Sequence, residues 1–347
     1  MMTASLRSVL RPFAMLLAAC GTADAAAERY ACVLGPTSTV NQTTNLVLPL
    51  AGTWIGNYNA TTNPTGTQTR PGLFGGSGNV AIPYSMSIRP TITINGTHPS
   101  GTFTLGFDPV TRAVAVFGLQ SNLLNGQAGA VAVNIRLTYQ TFRSFSPNST
   151  FIGVTNFDVP LESGSLTTAT AAQSNSAYGV ATANTDGSFA FTVPVPVTIS
   201  VAGSAAGQPF ASESPGILAL SGTITVAGGQ ATVAAQATTN ETAPVPPPPP
   251  LVNQPFGLPT ILPPGSTANL LLSGTFSEGT VATNSTITIA AVGPRIPRPA
   301  DFNGDGAVNG DDLGQLLAAW GAPGIPDLNL DGIVDGNDLG QLLAQWG

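Results

Sequence analysis

The chain has 347 residues and a formal net charge of −7 at neutral pH, from 17 acidic and 10 basic side chains. All ten bases are arginines and they form no cluster, which excludes the basic surface that nucleic-acid binding needs. Cys20 and Cys32 are the two cysteines. If an N-terminal leader is removed, only Cys32 remains, so the mature chain forms no intramolecular disulfide.

Residues 1–27 have the features of a bacterial export signal. A start with two arginines precedes an apolar core at 13–19, which is far shorter than the roughly 20 residues of a membrane helix. Small-residue cleavage motifs follow at 23–27. We therefore expect export, with a mature N-terminus near Ala26 or Glu28.

An alternative processing route remains open. The segment LAACG at 17–21 resembles a bacterial lipobox, which would lipidate Cys20 and hold the chain on a membrane. Simple cleavage is the favoured alternative. Mass spectrometry of the exported protein separates the two, because a lipidated chain would begin with a diacylglycerol-bearing cysteine.

Residues 28–293 are predicted to form an all-β body. Apolar residues alternate with other residues at 131–139 and at 193–201, which is the period of a half-buried strand. Pro194 and Pro196 lack an N–H donor and predict that the second of these strands lies at a sheet edge. Turn-forming pairs such as Asn-Gly, Asp-Gly and Gly-Gly separate the runs. The sequence therefore predicts an antiparallel β-sandwich or barrel in one domain.

A proline-rich stretch at 244–264 is expected to be stiff and extended. Only about two strands are predicted after it, and a lone hairpin is marginally stable in water. We therefore interpret the stretch as a surface excursion of the body, with the last hairpin returning to the main sheet. The linker to the C-terminal segment is predicted at 294–300.

Side chains that could carry catalysis are few in the body. The single histidine, His98, has no accompanying ligand or nucleophile motif. Asp158 and Glu162 are the one close acidic pair, but on a strand they would lie about 13 Å apart, beyond the roughly 5–9.5 Å of glycosidase carboxylates. We therefore predict that the body is not a hydrolase. If it is an enzyme, a glycoside hydrolase or another polysaccharide-active enzyme is the nearest class.

Four aromatic residues cluster near the start of the body, namely Trp54, Tyr58, Phe74 and Tyr84. Exposed rings would support polysaccharide binding, whereas buried rings would belong to a β core. The core interpretation is favoured, because aromatic residues are enriched in strands and in cores.

The C-terminal segment contains a tandem repeat. DFNGDGAVNGDDLGQLLAAWG begins at Asp301 and DLNLDGIVDGNDLGQLLAQWG begins at Asp327, with 15 of 21 aligned positions identical. Each copy has oxygen-bearing side chains at loop positions 1, 3, 5, 9 and 12 and a glycine at position 6, the spacing of a 12-residue calcium loop. Two Ca²⁺ ions are predicted, bound by the side chains of Asp301, Asn303, Asp305, Asn309, Asp312, Asp327, Asn329, Asp331, Asp335 and Asp338 and by the carbonyls of Ala307 and Ile333.

An apolar stripe with helical period follows each loop, whereas prolines before each loop exclude an entering helix. Because each helix is too short to be stable alone, the two stripes are expected to pack face to face. The stripes consist of Leu313, Leu316, Leu317 and Trp320, and of Leu339, Leu342, Leu343 and Trp346.

This arrangement at 301–347 resembles a dockerin, the duplicated loop-helix module of secreted bacterial proteins. The tandem loops, the missing entering helix and the aspartate at position 12, where an EF-hand has glutamate, carry the resemblance. It implies two calcium ions, a cohesin module as partner and, often, tethering of a polysaccharide-degrading enzyme to a scaffold or cell surface. Cellulosomal dockerins have small hydroxyl residues at positions 10 and 11, where this chain has Gly310, Asp311, Gly336 and Asn337. We therefore expect either a cohesin-like partner or another surface receptor.

The net negative charge of the chain comes from this module, which contains eight aspartates and no base. In residues 28–300, eight acidic side chains are balanced by eight arginines. Because the carboxylates repel one another until a cation neutralises them, the module is expected to fold only with calcium. The first loop offers three carboxylates and the second offers four, so the second loop is predicted to bind calcium more tightly.

The sequence thus favours a secreted or cell-surface β-rich protein of structural or adhesive type, attached through a calcium-binding module. One alternative is a polysaccharide-binding or polysaccharide-degrading component of a dockerin-tethered extracellular system. Another is an envelope lipoprotein, if Cys20 is lipidated.

Overall fold

The computed structural model describes residues 27–56, 58–65, 69–74, 79–145 and 147–347. The predicted export signal up to residue 26, including Cys20, lies outside these residues. Within them, no helix is both long enough and apolar enough to cross a membrane.

Strands make up most of the described chain, and the two helices found in it follow the two C-terminal loops. In chain order the elements are β1 (Glu28–Leu34), β2 (Thr39–Ile55), β3 (Thr69–Pro71), β4 (Ile82–Thr97), β5 (Ser100–Phe107), β6 (Ala113–Asn122), β7 (Gly129–Tyr139), β8 (Phe142–Phe145), β9 (Asn148–Phe151), β10 (Val154–Pro160), β11 (Gly164–Gln173), β12 (Ala177–Ala183), β13 (Phe189–Ala205), β14 (Gln208–Ala227), β15 (Gln230–Val245), β16 (Leu251–Ile261), β17 (Pro264–Phe276), β18 (Gly279–Pro294), α1 (Gly310–Ala318) and α2 (Gly336–Leu343).

Fifteen of these strands form one antiparallel sheet. Their order is β12-β13-β14-β15-β18-β1-β5-β6-β11-β7-β4-β2-β17-β16, with β10 attached to β7. Further pairings join β12 to β6, β13 to β11 and β18 to β2, so the sheet returns on itself. The strands β3, β8 and β9 form a small separate sheet. The predicted all-β, antiparallel class of the body is confirmed.

Two apolar cores lie along this sheet. The larger core includes Phe107, Val193 and Ile224 and is lined mainly by β1, β5, β6, β12 to β15 and β18. The smaller core is built around Trp54. The long strand β2 contributes Val40 to the larger core and Trp54 to the smaller one. The large sheet therefore contributes to both cores, and the small sheet adds Phe142 and Phe151 to the smaller one.

The strand β7 has the burial pattern that its sequence predicts. Its inward-facing apolar residues, from Val131 to Tyr139, are buried. The alternating Ala132 and Asn134 face solvent. Successive side chains of a strand point to opposite faces, so the alternation at 131–139 is confirmed.

The strand β13 is an interior strand, which corrects the edge position predicted for 193–201. It pairs with β14 along its whole length and with β12 and β11 at the two ends of its other side. Pro194 and Pro196 lie between those two partners. The carbonyl of Pro196 accepts from Ser174 N on the β11 side, so the backbone of both prolines points away from β14. A missing N–H there removes no ladder bond.

Much of the proline-rich stretch at 244–264 is strand, which corrects its interpretation as an excursion. The strand β15 runs to Val245, and β16 pairs with β17, which pairs with β2. Residues 246–250 and 262–263 interrupt the strands. The extended conformation that proline favours is compatible with strand geometry.

The predicted linker at 294–300 begins inside the sheet. Ile296 N donates to the carbonyl of Arg29 at 2.7 Å, and Arg295 forms a 2.9 Å ion pair with Glu28. The C-terminal module therefore leaves the body beside β1.

Cys32 is buried in the larger core, and this burial raises the pKa of its thiol to about 12. Because the thiolate is the reactive form, we expect iodoacetamide at about pH 8 to leave the native protein unlabelled. Unfolding in urea should expose the thiol to complete labelling. Mass spectrometry measures both states, and native labelling at the rate of a free cysteine would contradict the prediction.

Candidate calcium-binding loops

Each C-terminal loop leads into a capped helix. We call the 12-residue loops that start at Asp301 and Asp327 the first and the second loop. Asn309 caps α1 and accepts from Asp311 N, and Asp335 caps α2 in the same way. The position-12 aspartate of each loop accepts a hydrogen bond from the backbone N–H of the cap residue, which completes a capping box. Both copies of the repeat therefore adopt the same local structure.

Side chains of the first loop fold it onto its own backbone. Asp301 accepts from the N–H groups of Gly304 and Gly306 at 2.8 Å each. Asp305 accepts from Ala307 N at 2.9 Å. Asp and Asn side chains form such turns readily. Gly306, with a φ of 90°, makes the sharp turn required at position 6.

The position-12 aspartates, Asp312 and Asp338, are fully buried. Asp312 accepts from the N–H groups of Phe302, Asn303 and Asn309 at 2.7, 3.4 and 3.0 Å. Asp338 makes the equivalent three hydrogen bonds in the second loop at 2.7, 3.2 and 2.7 Å. A buried carboxylate needs such donors in place of water, so each loop is organised around one buried aspartate.

The predicted side-chain ligands meet in part. In the first loop, the amides of Asn303 and Asn309 donate to one oxygen of Asp305 at 3.0 and 3.5 Å. In the second loop, the amide of Asn329 donates to Asp331 at 2.9 Å. Positions 3, 5 and 9 of the first loop therefore lie together, and a bound cation would compete with these amide N–H groups for the carboxylate.

The donor set of both loops is compatible with Ca²⁺. Among the described residues, no three His, Cys, Asp or Glu side chains converge closely enough to form a metal-binding group by themselves. An ion here would therefore depend also on amide and carbonyl oxygens, which a hard cation accepts readily. Asp312 uses three of the roughly four lone-pair sites of a carboxylate, which leaves capacity for an ion.

The carboxylates of the two loops differ in their surroundings. Burial raises the pKa of Asp327, although the N–H of Gly332 opposes this effect, and the charges of Asp338 and Asp331 add repulsion. In the first loop, the N–H of Ala307 lowers the pKa of Asp305. The carboxylate at position 1 of the second loop is therefore partly desolvated, whereas the carboxylate at position 5 of the first loop is stabilised by its hydrogen bonds.

The two helices bury only part of their apolar stripes, which corrects the expected packing of both stripes face to face. Leu316 and Leu342 are fully buried in a small core with Val308 and Val334. The helices α1 and α2 end before the tryptophans, so these rings are not directed into the core. The outer side chains, which we together call the Leu-Trp surface, are each about half exposed: Leu317, Trp320, Leu343 and Trp346.

A residue after each helix donates a backbone hydrogen bond to the loop of the other repeat. Gly347 N, which follows α2, donates to the carbonyl of Val308 at 3.0 Å. Gly321 N, which follows α1, donates to the carbonyl of Val334 at 2.9 Å. Because the two valines occupy the same loop position, the module has approximate twofold symmetry.

The second loop also contacts the body. Leu330 is 5 % exposed and packs against Ala27, Ala115 and Phe117. Its φ of 61° is a left-handed conformation, which costs a non-glycine residue roughly 1–2 kcal/mol. Gly304 occupies the same position of the first loop, with a φ of 74°. The strain at Leu330 is therefore offset by burial against the body.

Two polar body residues complete this contact. Buried Arg29 donates from Nη2 to the carbonyl of Asp327 at 2.7 Å, and its guanidinium lies 5.1 Å from the centre of the Phe117 ring. Burial lowers the pKa of Arg29 to about 10, against the opposing effect of Asp327. The hydroxyl of Tyr178 accepts from Gly324 N at 3.2 Å, and burial raises the pKa of this phenol.

Sequence reasoning missed Arg29, Tyr178 and Leu330 as neighbours of the second loop. The available signal was the difference at loop position 4, where the second repeat has Leu330 and the first has Gly304.

The catalytic candidates of the body lie apart from one another. His98 is exposed, with Nδ1 3.0 Å from the carbonyl oxygen of Ser38. Asp158 is held by Arg136 through two hydrogen bonds of 2.7 and 2.9 Å, which lower its pKa. A general acid needs a raised pKa, so Asp158 is unsuited to that role. Glu162 is exposed beyond the end of β10.

The aromatic cluster is divided between core and surface. Trp54 and Tyr84 are buried and stacked, with ring centroids 4.9 Å apart, so the core interpretation is confirmed for them. Phe74 is 90 % exposed. Tyr58 is half-buried and lines an open depression of about 350 Å³ together with Phe256.

No protein-family model matches the chain, and no curated protein matches it. The outer membrane protease OmpT from Escherichia coli is 11 % identical over 79 % of this chain and 98 % of that chain, with a TM-score of 0.27. The InvG secretin domain from the Salmonella SPI-1 injectisome is 10 % identical over 85 % of this chain and 70 % of that chain, with a TM-score of 0.20. The type II secretin GspD from enteropathogenic Escherichia coli is 9 % identical over 78 % of this chain and 69 % of that chain, with a TM-score of 0.17. Similarity at this level assigns no family.

Proposed function

We propose that the chain is an exported β-sheet protein of structural or adhesive type, attached to an extracellular or cell-surface receptor through a calcium-binding, dockerin-like module. The observation that supports this most is the repetition of the loop spacing: both copies place oxygen-bearing side chains at the same positions around a buried position-12 aspartate, Asp312 or Asp338. Each of these carboxylates completes a capping box and still has lone-pair capacity for an ion.

The proposed ions would supply positive charge to loops that have no base of their own. Neutralisation removes the repulsion between the carboxylates and links the loop ends to the following helix. Asp301, Asn303, Asp305, Asn309, Asp312 and the carbonyl of Ala307 would bind one ion, and Asp327, Asn329, Asp331, Asp335, Asp338 and the carbonyl of Ile333 would bind the other.

The Leu-Trp surface is the part of the module best suited to a receptor. Its two leucines and two tryptophans remain about half exposed, and aromatic residues are enriched at the centres of protein interfaces. The double variant Trp320→Ala/Trp346→Ala is therefore expected to abolish calcium-dependent capture of a receptor from an extracellular fraction by the mature chain. Unchanged capture by this variant, or unchanged capture by the wild type in chelator, would argue against receptor binding through this module.

Calcium titration of the mature chain tests the proposal directly and ranks the loops. Calorimetry should report two ions, with tighter binding at the second loop because it has four carboxylates against three. Asn309→Asp should narrow the difference in calcium affinity between the two loops. The matched change Asp335→Asn should also narrow that difference or reverse it. Absence of binding heat would refute the calcium function, and tighter binding at the first loop would refute the ranking.

A second candidate function for the body is polysaccharide binding. The half-buried rings of Tyr58 and Phe256 line a depression next to the polar side chains of Asn59 and Asn269, and aromatic side chains beside a few polar groups are typical of ligand sites. We expect no turnover of polysaccharides or chromogenic esters by the mature chain. Retention on a polysaccharide gel that is lost in Tyr58→Ala would favour this candidate over a purely structural role, whereas turnover abolished by changing one acidic residue would show that the body is a hydrolase.

A further inference from the structure

The two calcium loops have different neighbours. The contacts that join the module to the body come from the second repeat and the residues just before it, namely Gly324, Asp327 and Leu330. At position 4 the first loop has Gly304, which has no side chain to make such a contact. Only the second copy therefore carries the apolar side chain that docks on the body.

The body has a site shaped for this side chain. Leu330 packs against Phe117 and Ala115 of β6. A Cβ added to Gly106 of β5 would lie 2.9 Å from Cδ2 of Leu330. Because so short a contact forces one side to move, the absence of a side chain at Gly106 makes room for Leu330.

The polar contacts act on the start of the second loop itself. Arg29 of β1 fixes the carbonyl of Asp327, the residue at loop position 1. Tyr178 of β12 fixes Gly324, three residues earlier. Both are buried or half-buried against the module, so the entry of the loop is held by two separate strands of the body.

We propose that Arg29, Tyr178 and the Leu330 site are positioning groups for the second calcium loop, which the body keeps in its folded conformation before metal arrives. In the described part of the chain, the first repeat has no matching contact with a strand of the body, and it becomes ordered with the metal. This inference rests on the proposed calcium function for the role of the loops, but the docking itself can be measured without metal.

Hydrogen exchange of the whole mature chain in chelator tests the docking. The amides of α2 are expected to be at least about tenfold more protected than those of α1, because local opening of the second repeat must also break its contacts with the body. Added calcium should raise the protection of α1 more than that of α2.

Two variants probe the contact from opposite sides. Leu330→Gly copies the residue of the first loop and removes the docked side chain. Gly106→Val leaves the module unchanged and fills its site on the body. Both should lower the protection of α2 in chelator about tenfold, to the level of α1. The matched control Ile217→Ala changes a side chain that is 65 % exposed on β14 and should leave α2 unchanged. Protection of β15 serves as an internal measure that the body remains folded.

Equal exchange of α1 and α2 in the wild type without metal would overturn the proposal. So would unchanged protection of α2 in Leu330→Gly. If calcium alters the exchange of neither repeat, the proposed calcium function fails, while the difference between the helices in chelator still decides whether the body positions the second repeat.

Discussion

Replacing Asp312 by asparagine is expected to unfold the first loop-helix repeat and to abolish calcium binding there. The carboxylate is fully buried and accepts three backbone N–H groups. Asparagine would place an NH₂ donor against at least one of these donors. Since a hydrogen bond to a charged group contributes roughly 1.5–3 kcal/mol, the loss should be about 3 kcal/mol or more, which is more than a hundredfold in affinity.

Asp311→Asn is the matched control, because it makes the same chemical change one residue earlier. Asp311 is exposed at loop position 11 and is not a predicted ligand. This variant should change calcium affinity by less than about threefold. Calorimetry gives the affinities, and hydrogen exchange of α1 gives its order. Comparable losses in the two variants would mean that net charge, rather than the position-12 carboxylate, determines binding.

Replacing Trp54 by alanine is expected to destabilise the smaller core by about 3–5 kcal/mol. Trp54 is 1 % exposed and its ring lies within 4.9 to 6.2 Å of the rings of Tyr84, Tyr139, Phe142 and Phe256. Removing the indole would leave a cavity that four other rings border. Urea denaturation measures the change in free energy of unfolding.

Phe74→Ala provides the comparison, because Phe74 belongs to the same aromatic stretch of sequence but is 90 % exposed. Its effect on the free energy of unfolding should stay within about 0.5 kcal/mol. A loss below about 1 kcal/mol in Trp54→Ala would show that the smaller core contributes little to the stability of the body.

The local structure of the loops could be predicted from the sequence because the side-chain hydrogen bonds within each loop join residues at most ten positions apart in the chain. Asp301 and Gly306 are five residues apart, and Asp312 accepts from the N–H of the cap residue, Asn309, three residues before it. Spacing alone therefore determines these contacts. The exposed position of Trp320 could not be predicted in the same way, because the apolar stripe continues beyond the point where α1 ends.

Contacts that depend on sheet topology were beyond sequence reasoning. Arg29 and Asp327 are 298 residues apart, and they meet because β18 returns beside β1 and delivers the module to that edge. Pro194 and Pro196 indicated an edge strand when taken alone. The sheet accommodates these prolines because they lie on the side of β13 between its pairings with β11 and β12, where no strand needs an N–H group from them. Local alternation of side chains identifies the strands, whereas their order in the sheet depends on pairing between distant parts of the chain.

The pairing of β1 with both β5 and β18 has a consequence for the order in which the protein is completed. A chain made from its N-terminus presents β1 long before β18 exists, and at a synthesis rate of about 5–20 residues per second the delay is on the order of tens of seconds. Pairing between such distant segments is slow in any case. During this interval β1 has one neighbour and an open edge. The last strand and the second loop then reach that edge almost together, so closing the sheet and docking the module become successive parts of one late event.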